Sequence, residues 1–340
     1  MTSVPEPRFD HLVRMTDRRG TFEHAKLAEP RREHGYCTDD MARVLVVATR
    51  QTHPTLQVQR LAAVGFRFLR QAEGLDGRFR NRMNQYGRWE DGPSVGDCWG
   101  RSVWGLGTAA ARADASWMRD SASAHFDRAA RQRSPWPRAM AFAAIGAAEL
   151  LAVSPGHVEA RLLLTAAADG MPIAGDDSAW PWPEPRLGYA NGVVPEAMIA
   201  AGSLLDRPQL LRQGLDLLGW LVDHETVDGH LSVTPVGGSG PGTRRPAFDQ
   251  QPIEVAALAD ACARAVQVDG VDERWARGVS ASIAWFLGDN DSAQVMWDPN
   301  TGGGFDGLEA AGANRNQGAE STLALLSTLQ HARRLELTPR

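Results

Sequence analysis

The residues best suited to chemistry are acidic side chains that directly precede apolar helical stretches. Asp39 and Asp40 lie in the segment His34–Arg43, where Gly35 supplies the backbone freedom of a turn. Thr38 or Asp39 can cap the first helical turn, and the helix dipole favours a negative charge at Asp40. A capped buried helix would explain this segment by itself. The recurrence of the same design along the chain indicates a site instead.

Polar and aromatic residues recur at the starts of later apolar helices and in the loops before them. Aromatic faces stack on the apolar faces of pyranose rings, while carboxylates, amides and arginines bind sugar hydroxyls. The pattern therefore predicts an oligosaccharide or glycoside as substrate. The predicted substrate-binding residues are Tyr36, Asp39, Arg43, Asp97, Trp99, Arg101, Trp180, Trp182, Tyr189, Asn191, Gln250, Gln251, Glu254, Asp306, Asn316 and Glu320.

Hydrolysis of a glycoside needs two carboxyl groups, one protonated and one ionised. Glu184 follows Trp182 between two prolines, and burial among apolar groups would raise its pKa as a general acid requires. Asp40 and Asp249 lie near predicted helix N-termini, where the dipole stabilises a carboxylate. The sequence therefore predicts Glu184 as the acid, and Asp249 or Asp40 as the ionised partner.

The elements that must position these residues are helical hairpins. Six first helices are predicted to start near Asp39, Asp97, Pro137, Val193, Asp249 and Gln317, at spacings of 40 to 68 residues. These helices are small and apolar, whereas the second helix of each hairpin is amphipathic, so the first helices form an inner ring and the second an outer one. The expected fold is an all-α (α/α)6 toroid that gathers the inner-helix N-termini on one face.

Two loop segments on that face, 76–83 and 228–233, each look like a short strand, and minor short β-hairpins are expected in the rim loops. The last inner helix has no outer partner after it, and Phe9–Met15 is the candidate for that place. No composition shift divides the chain. We therefore expect one toroid domain over residues 1–340, with the N-terminal segment 1–30 packing on the toroid.

Bulk properties limit the function classes. The chain has 43% hydrophobic and 23% charged residues and a net charge of -5, so nucleic acid is not an expected partner. No signal peptide or membrane span is visible, and three cysteines fit a reducing compartment, so a soluble cytoplasmic protein is expected. Of 36 basic residues only Lys26 is lysine. A GC-rich genome explains this excess of arginine, and binding of an anionic ligand is the weaker alternative.

Neither a metal nor another cofactor is predicted. Cys37 and Cys98 fall at two inner-helix starts, and His24 and His34 precede the first of them. A zinc site of that composition is conceivable, but the spacing matches no compact zinc motif, and free cysteines are commonly small buried hydrophobes.

Five segments of the chain resemble an uncharacterised bacterial family of (α/α)6-toroid proteins. The most specific are Phe248–Glu254, with the sequence FDQQPIE, and Asn316–Thr322, with NQGAEST. Gly35–Arg43, Asp97–Gly107 and Trp180–Gly202 complete the resemblance, which extends through Cys262 and Leu325. Its members are often described as glycosyltransferases, because similar segments are fused behind glycosyltransferase domains.

This resemblance implies carbohydrate metabolism and a fold shared with glycoside hydrolases, lyases and sugar epimerases. The chain has no room for a nucleotide-sugar domain, so we discount the transferase activity. Pro183 replaces the family's usual Phe, and Ala190 replaces an Asp before Asn191. The lost Asp implies a changed substrate or a weakened activity.

Three functions remain open from the sequence. The leading one is a glycoside hydrolase. A sugar isomerase or epimerase would need a His or Tyr as acid and base, with His24, His34 and Tyr189 as candidates. A non-catalytic glycan-binding module is the third. The oligomeric state is not predicted.

Overall fold

Six helices form a closed inner ring in the computed structural model, which describes residues 4–172, 175 and 177–337. Each inner helix contacts the next, and the last contacts the first, which closes the ring. The inner helices are α2 (Thr38–Arg50), α4 (Asp97–Arg112), α6 (Pro137–Val153), α8 (Val193–Leu204), α10 (Pro252–Val268) and α12 (Ala319–Arg334).

The outer helices alternate with the inner ones along the chain. They are α1 (Asp10–Arg14), α3 (Leu56–Ala72), α5 (Ser116–Ala129), α7 (Val158–Asp169), α9 (Pro208–His224) and α11 (Glu273–Phe286). The short α1 contacts α12, so the N-terminal segment occupies the place of the missing sixth outer helix. The predicted all-α (α/α)6 toroid is therefore confirmed.

Burial follows the difference in composition between the two rings. In α8 every residue from Val193 to Gly202 is buried, which an apolar helix inside a ring requires. In α11 the buried residues include Trp275, Val279 and Ile283, each four positions from the next, while Glu273 faces water. The hydrophobic period therefore decides which ring a helix joins.

Glycines let α4 and α6 approach closely. A Cβ atom at Gly107 would lie 2.1 Å from the carbonyl oxygen of Gly146, and one at Gly100 would lie 2.3 Å from that of Ala139. Both distances are far inside van der Waals contact, so a larger residue would push the helices apart.

Short antiparallel strand pairs occupy the loops before the inner helices. The pairs are β1 (Ala25–Lys26) with β2 (Glu29–Pro30), β3 (Tyr36–Cys37) with β4 (Arg82–Met83), β5 (Thr226–Val227) with β6 (His230–Leu231), and β7 (Gly307–Glu309) with β8 (Gly312–Asn314). A single 3-10 turn covers Arg32–His34. The two predicted strand segments thus contribute β4 and β6.

The predicted helix starts are accurate to within three residues, and the last two helices begin later than expected. The N-cap of α2 is Cys37, whose sulfur accepts from the amide of Asp40 at 3.4 Å, and not Thr38 or Asp39 as predicted. No helix in the described part of the chain is long and apolar enough to cross a membrane. The assignment of residues 1–340 to one domain stays a prediction.

Candidate functional site

A cleft of about 350 Å³ opens on the face where the inner helices begin, which we call the N-terminal face. First turns of α2, α4 and α12 border this site cleft, together with loops before α2, α10 and α12. Its lining residues are Glu23, His24, Cys37, Asp39, Asp40, Arg43, Arg101, Asp249, Gln251, Asp306, Asn314, Gly318, Glu320 and Ser321. Eight of the residues predicted from sequence are among them.

Asp40 and Arg43 form the buried floor of the site cleft. Arg43 Nη2 donates to Asp40 Oδ1 at 2.7 Å and to Glu320 Oε2 at 2.8 Å. Cys37 Sγ donates to the other oxygen of Asp40 at 3.1 Å. Burial lowers the pKa of Arg43, but Glu320 and Asp40 outweigh that effect and raise it. The guanidinium is therefore permanently charged and holds two carboxylates in place.

Arg101 organises a second acidic pair. Its Nη1 lies 3.1 Å from Asp39 Oδ1 and 3.4 Å from Asp97 Oδ2. The hydroxyl of Tyr189 donates a short hydrogen bond to Asp97, and the ring of Tyr189 is partly exposed. Burial and the neighbouring Asp97 raise the pKa of Tyr189, so its hydroxyl stays protonated. Tyr189 therefore offers an aromatic surface beside the site cleft.

Asp249 has an environment unlike that of the other acids. Its Oδ1 is buried and has no hydrogen-bond partner among the described residues. Burial, followed by the charges of Glu309 and Asp306, raises its pKa to about 6. A Cβ atom at Gly307 would lie 2.2 Å from Oδ1, so only glycine leaves room for this carboxyl group.

This finding differs from the expectation that Asp249 stays ionised at a helix N-terminus. The helix begins only at Pro252, so the amides of its first turn do not contact the carboxyl group of Asp249. Burial and like charges decide the pKa in place of the dipole.

Asp306 ties β7 to the start of α12. Its Oδ1 accepts from the amide of Gly318 and from the hydroxyl of Ser321, both at 2.7 Å. Burial nevertheless raises its pKa. Asp306 therefore positions the start of α12, which carries Glu320, and also adds to the negative potential at Asp249.

Glu184 does not line the site cleft. Arg138 donates to its two oxygens at 2.9 and 2.8 Å, and Trp182 Nε1 donates to Oε2 at 3.3 Å. Glu184 thus lies in an ion pair with Arg138 and not in the apolar environment predicted for the general acid. Arg138 also donates to the carbonyl of Tyr189 at 2.7 Å, so the pair anchors the loop before α8.

Other predicted residues do not line the site cleft. Trp99 is buried and donates to the carbonyl of Ala129 at 3.1 Å. Glu254 accepts from the amide and side chain of Asn191, and burial raises its pKa to about 8. The remaining ones are Tyr36, bonded to Asp17, Trp180, packed on Trp220, Gln250, buried beside Asp291, and Asn316, bonded to the amide of Leu27.

Sequence reasoning missed Glu23, Asn314 and Ser321 as lining residues. Glu23 precedes the first helix and reaches the cleft because its segment folds back beside β3. Only its position next to His24, a weak candidate, could have drawn attention to it. Ser321 lies within the recognised motif Asn316–Thr322 and Asn314 lies two residues before it, but nothing in their types distinguishes them from capping residues.

Within the described residues, one group could supply three metal ligands: Glu23, Cys37 and Asp40, whose ligand atoms lie within 4.8 Å of one another. Each member already has a partner, since Arg82 pairs with Glu23 and Arg43 with Asp40. Burial also raises the pKa of Cys37 well above its usual value. These residues do not fit the thiolate-rich set that binds zinc.

Solved structures with known chemistry share this fold. No family model and no curated protein matches the sequence. A sugar epimerase from a ruminal bacterium is similar in structure, with a TM-score of 0.69, 13% identity and coverage of 96% of this chain and 95% of that one. Cellobiose 2-epimerase from Bacillus thermoamylovorans has a TM-score of 0.68 and 12% identity, with 95% of each chain covered. The cellulase Cel9M of C. cellulolyticum in complex with cellobiose has a TM-score of 0.60 and 8% identity, with 93% of this chain and 88% of that one covered. These similarities establish the toroid fold.

Proposed function

We propose that the protein is a carbohydrate-active enzyme, specifically a glycoside hydrolase, with Asp249 as general acid and Asp40 as the ionised partner. The observation that carries this proposal is the contrast between two carboxyl groups in one cleft. Asp249 has a pKa of about 6 and no hydrogen-bond partner at Oδ1 among the residues that the structure describes, whereas Asp40 is paired with Arg43. Hydrolysis of a glycosidic bond requires such a pair.

Asp249 suits the acid role because a useful fraction of its carboxyl group is protonated near pH 6, and that proton is available to a leaving oxygen. Asp40 suits the ionised role because Arg43 and the thiol of Cys37 both donate to it. In this assignment Glu184 is a positioning residue, since it contacts Arg138 and the loop before α8.

Sugar recognition is supported by polar atoms that other protein groups leave unused. Arg43 Nε and Nη1 and Arg101 Nε are buried without hydrogen-bond partners in the described part of the chain. Sugar hydroxyls both accept and donate, so they can satisfy these donors and the neighbouring carboxylates together. The names of the similar structures, cellulase and sugar epimerase, agree with a sugar ligand.

The decisive experiment is product analysis on a panel of neutral oligosaccharides with wild type, Asp249→Asn and Asp40→Asn. We expect cleavage by wild type and a drop of about 10²–10⁴-fold in kcat for each variant, since each removes proton transfer or charge stabilisation. Asp120→Asn is the matched control, because Asp120 is exposed on α5 and lies outside the cleft. Wild-type rates in both cleft variants would refute the assignment.

Sugar epimerisation is the second candidate, and one observation favours it. His24 lines the site cleft, and its ring lies 5.0 Å from that of His34. Epimerisation needs a group that removes and returns a proton, a role that imidazole performs well. Products that are isomers of the substrate, lost in His24→Asn but retained in Asp249→Asn, would replace hydrolysis as the function. Binding without any turnover would indicate a glycan-binding protein.

A further inference from the structure

A second cleft, of about 400 Å³, lies at the opposite end of the ring, where the inner helices end. We call this end the C-terminal face. Its lining contains four arginines and one glutamate: Arg50, Arg112, Arg333, Arg334 and Glu6, with Pro7, Gln51, Thr52, Gln330 and His331. None of these residues borders the site cleft.

Cationic charge exceeds anionic charge around this cleft. Glu149 and Asp260 lie behind it, and their ion pairs with Arg112, Arg264 and Arg50 hold them ionised. Arg333 and Glu6 pair with each other. The remaining groups are neutral, because burial lowers the pKa of His331 and raises that of Glu196 to about 8. Four guanidinium groups, those of Arg50, Arg112, Arg264 and Arg334, therefore face two carboxylates.

Arg334 carries much of this excess. Its Nη2 lies 2.9 Å from His331 Nδ1, and no carboxylate pairs with it among the described residues. Burial is the main reason that the pKa of Arg334 is lowered, and repulsion from the charges of Arg50 and Arg112 lowers it further. Within the described ranges, Arg112 donates through Nε alone, to Glu149 at 2.7 Å, and its two terminal nitrogens have no protein partner there.

The helix dipole offers a competing explanation for the arginines at this face, since it favours cations at helix C-termini. Arg50, Arg112 and Arg334, however, donate to no helix carbonyl in the described part of the chain; their partners are Asp260, Ser327, Glu149 and His331. Their unused donors are therefore free for a ligand. Arginine forks match the oxygens of phosphate.

We infer that the C-terminal face carries a binding site for a phosphate dianion, either inorganic phosphate or a phosphate monoester, held by Arg334, Arg112 and Arg50. Two excess positive charges match the charge of the dianion. The site would be independent of the proposed hydrolysis, because it lies at the other end of the ring.

Isothermal titration calorimetry on the full chain at low ionic strength tests this site. The probes are inorganic phosphate, glycerol 3-phosphate and, as the uncharged counterpart, glycerol. We expect both phosphate compounds to bind, glycerol not to bind, and added salt to weaken binding. A tighter complex with glycerol 3-phosphate would identify an ester as the ligand, and equal or weaker binding would identify the free ion.

Arg334→Gln and Arg112→Gln should each weaken phosphate binding by about tenfold, since each removes a charge-assisted contact. Arg212→Gln is the matched control, because Arg212 is exposed on α9 away from the cleft. Circular dichroism shows whether each variant is folded. If Arg334→Gln does not fold, Arg112→Gln provides the test. No heat with phosphate, or equal affinity in wild type and both cleft variants, would overturn the proposal.

Discussion

The two ends of the helical ring carry opposite charges and use them differently. At the N-terminal face six acids line a cleft, and one of them, Asp249, has a buried oxygen without a partner in the described residues. At the C-terminal face the buried acids are enclosed by cations: Glu149 by Arg112 and Arg264 at 2.7 and 2.6 Å, and Asp260 by Arg50 at 2.9 Å.

Helix dipoles explain the sign of charge at each end, since they favour anions at N-termini and cations at C-termini. They do not explain the difference in pairing. A carboxylate fully enclosed by arginines contributes to a structural network, whereas one left unpaired in an open cleft can transfer a proton. Pairing, more than the sign of the charge, therefore distinguishes the acids at the two ends of the ring.

The largest effect on stability should come from the C-terminal face. Arg264→Ala removes one of the two arginines that pair with the buried Glu149, together with the guanidinium next to the buried Glu196, and we expect a loss of about 3–5 kcal/mol in the free energy of unfolding. Arg277→Ala, which removes an exposed pair with Glu273, should cost less than about 1 kcal/mol. Urea denaturation measures both, and equal losses would show that the buried network does not support the ring.

A smaller effect on stability is expected at Glu184, which is paired with an arginine like the acids of the C-terminal face. Glu184→Gln removes the charge that pairs with Arg138, so stability should fall by about 1–2 kcal/mol while kcat of the folded protein is kept. Thermal unfolding and kinetics on the same preparation measure the two quantities. A drop in kcat of about 10²-fold or more at unchanged stability would instead make Glu184 catalytic, as the sequence predicts.

The smallest effect concerns the pH dependence of Asp249. Its pKa is about 6 in the folded state and about 3.9 in an unfolded chain, so the folded state binds more protons between these values. Stability should therefore fall as pH rises from about 4 to about 6, by about 1 kcal/mol after allowance for solvent exposure. Urea titrations across this range should show the fall in wild type and not in Asp249→Asn.

Glu309→Gln is the matched control for this pH effect. Glu309 is exposed, and its charge helps to raise the pKa of Asp249. Its removal should move the midpoint of the stability change, and of the pH–rate profile, to lower pH. The same midpoint in wild type and variant would mean that burial alone sets the pKa.

Local pattern was sufficient for most of the fold. Apolar residues at helical spacing in Val193–Gly202, and the amphipathic stretch Glu273–Phe286, predict which helices are enclosed and which face water. The same reasoning could not locate every helix boundary. For example, α10 is predicted to start at Asp249 but starts at Pro252, three residues later. Whether Trp99 stacks on a ligand or packs in the interior also depends on Ala129, on another helix.

The sequence by itself determined the two-ring repeat, the face on which the acids gather and the presence of Asp40, Asp249 and Arg43 in one site. Helical period and dipole direction are local properties, so a single chain segment encodes them. Only the tertiary structure decided which carboxyl group is paired with a cation and which has a raised pKa. Glu184 pairs with Arg138, 46 residues away, while Asp249 is partly buried beside Asp306 and Glu309. A pKa depends on burial and on charges a few ångströms away in space, and the folded chain alone brings those together.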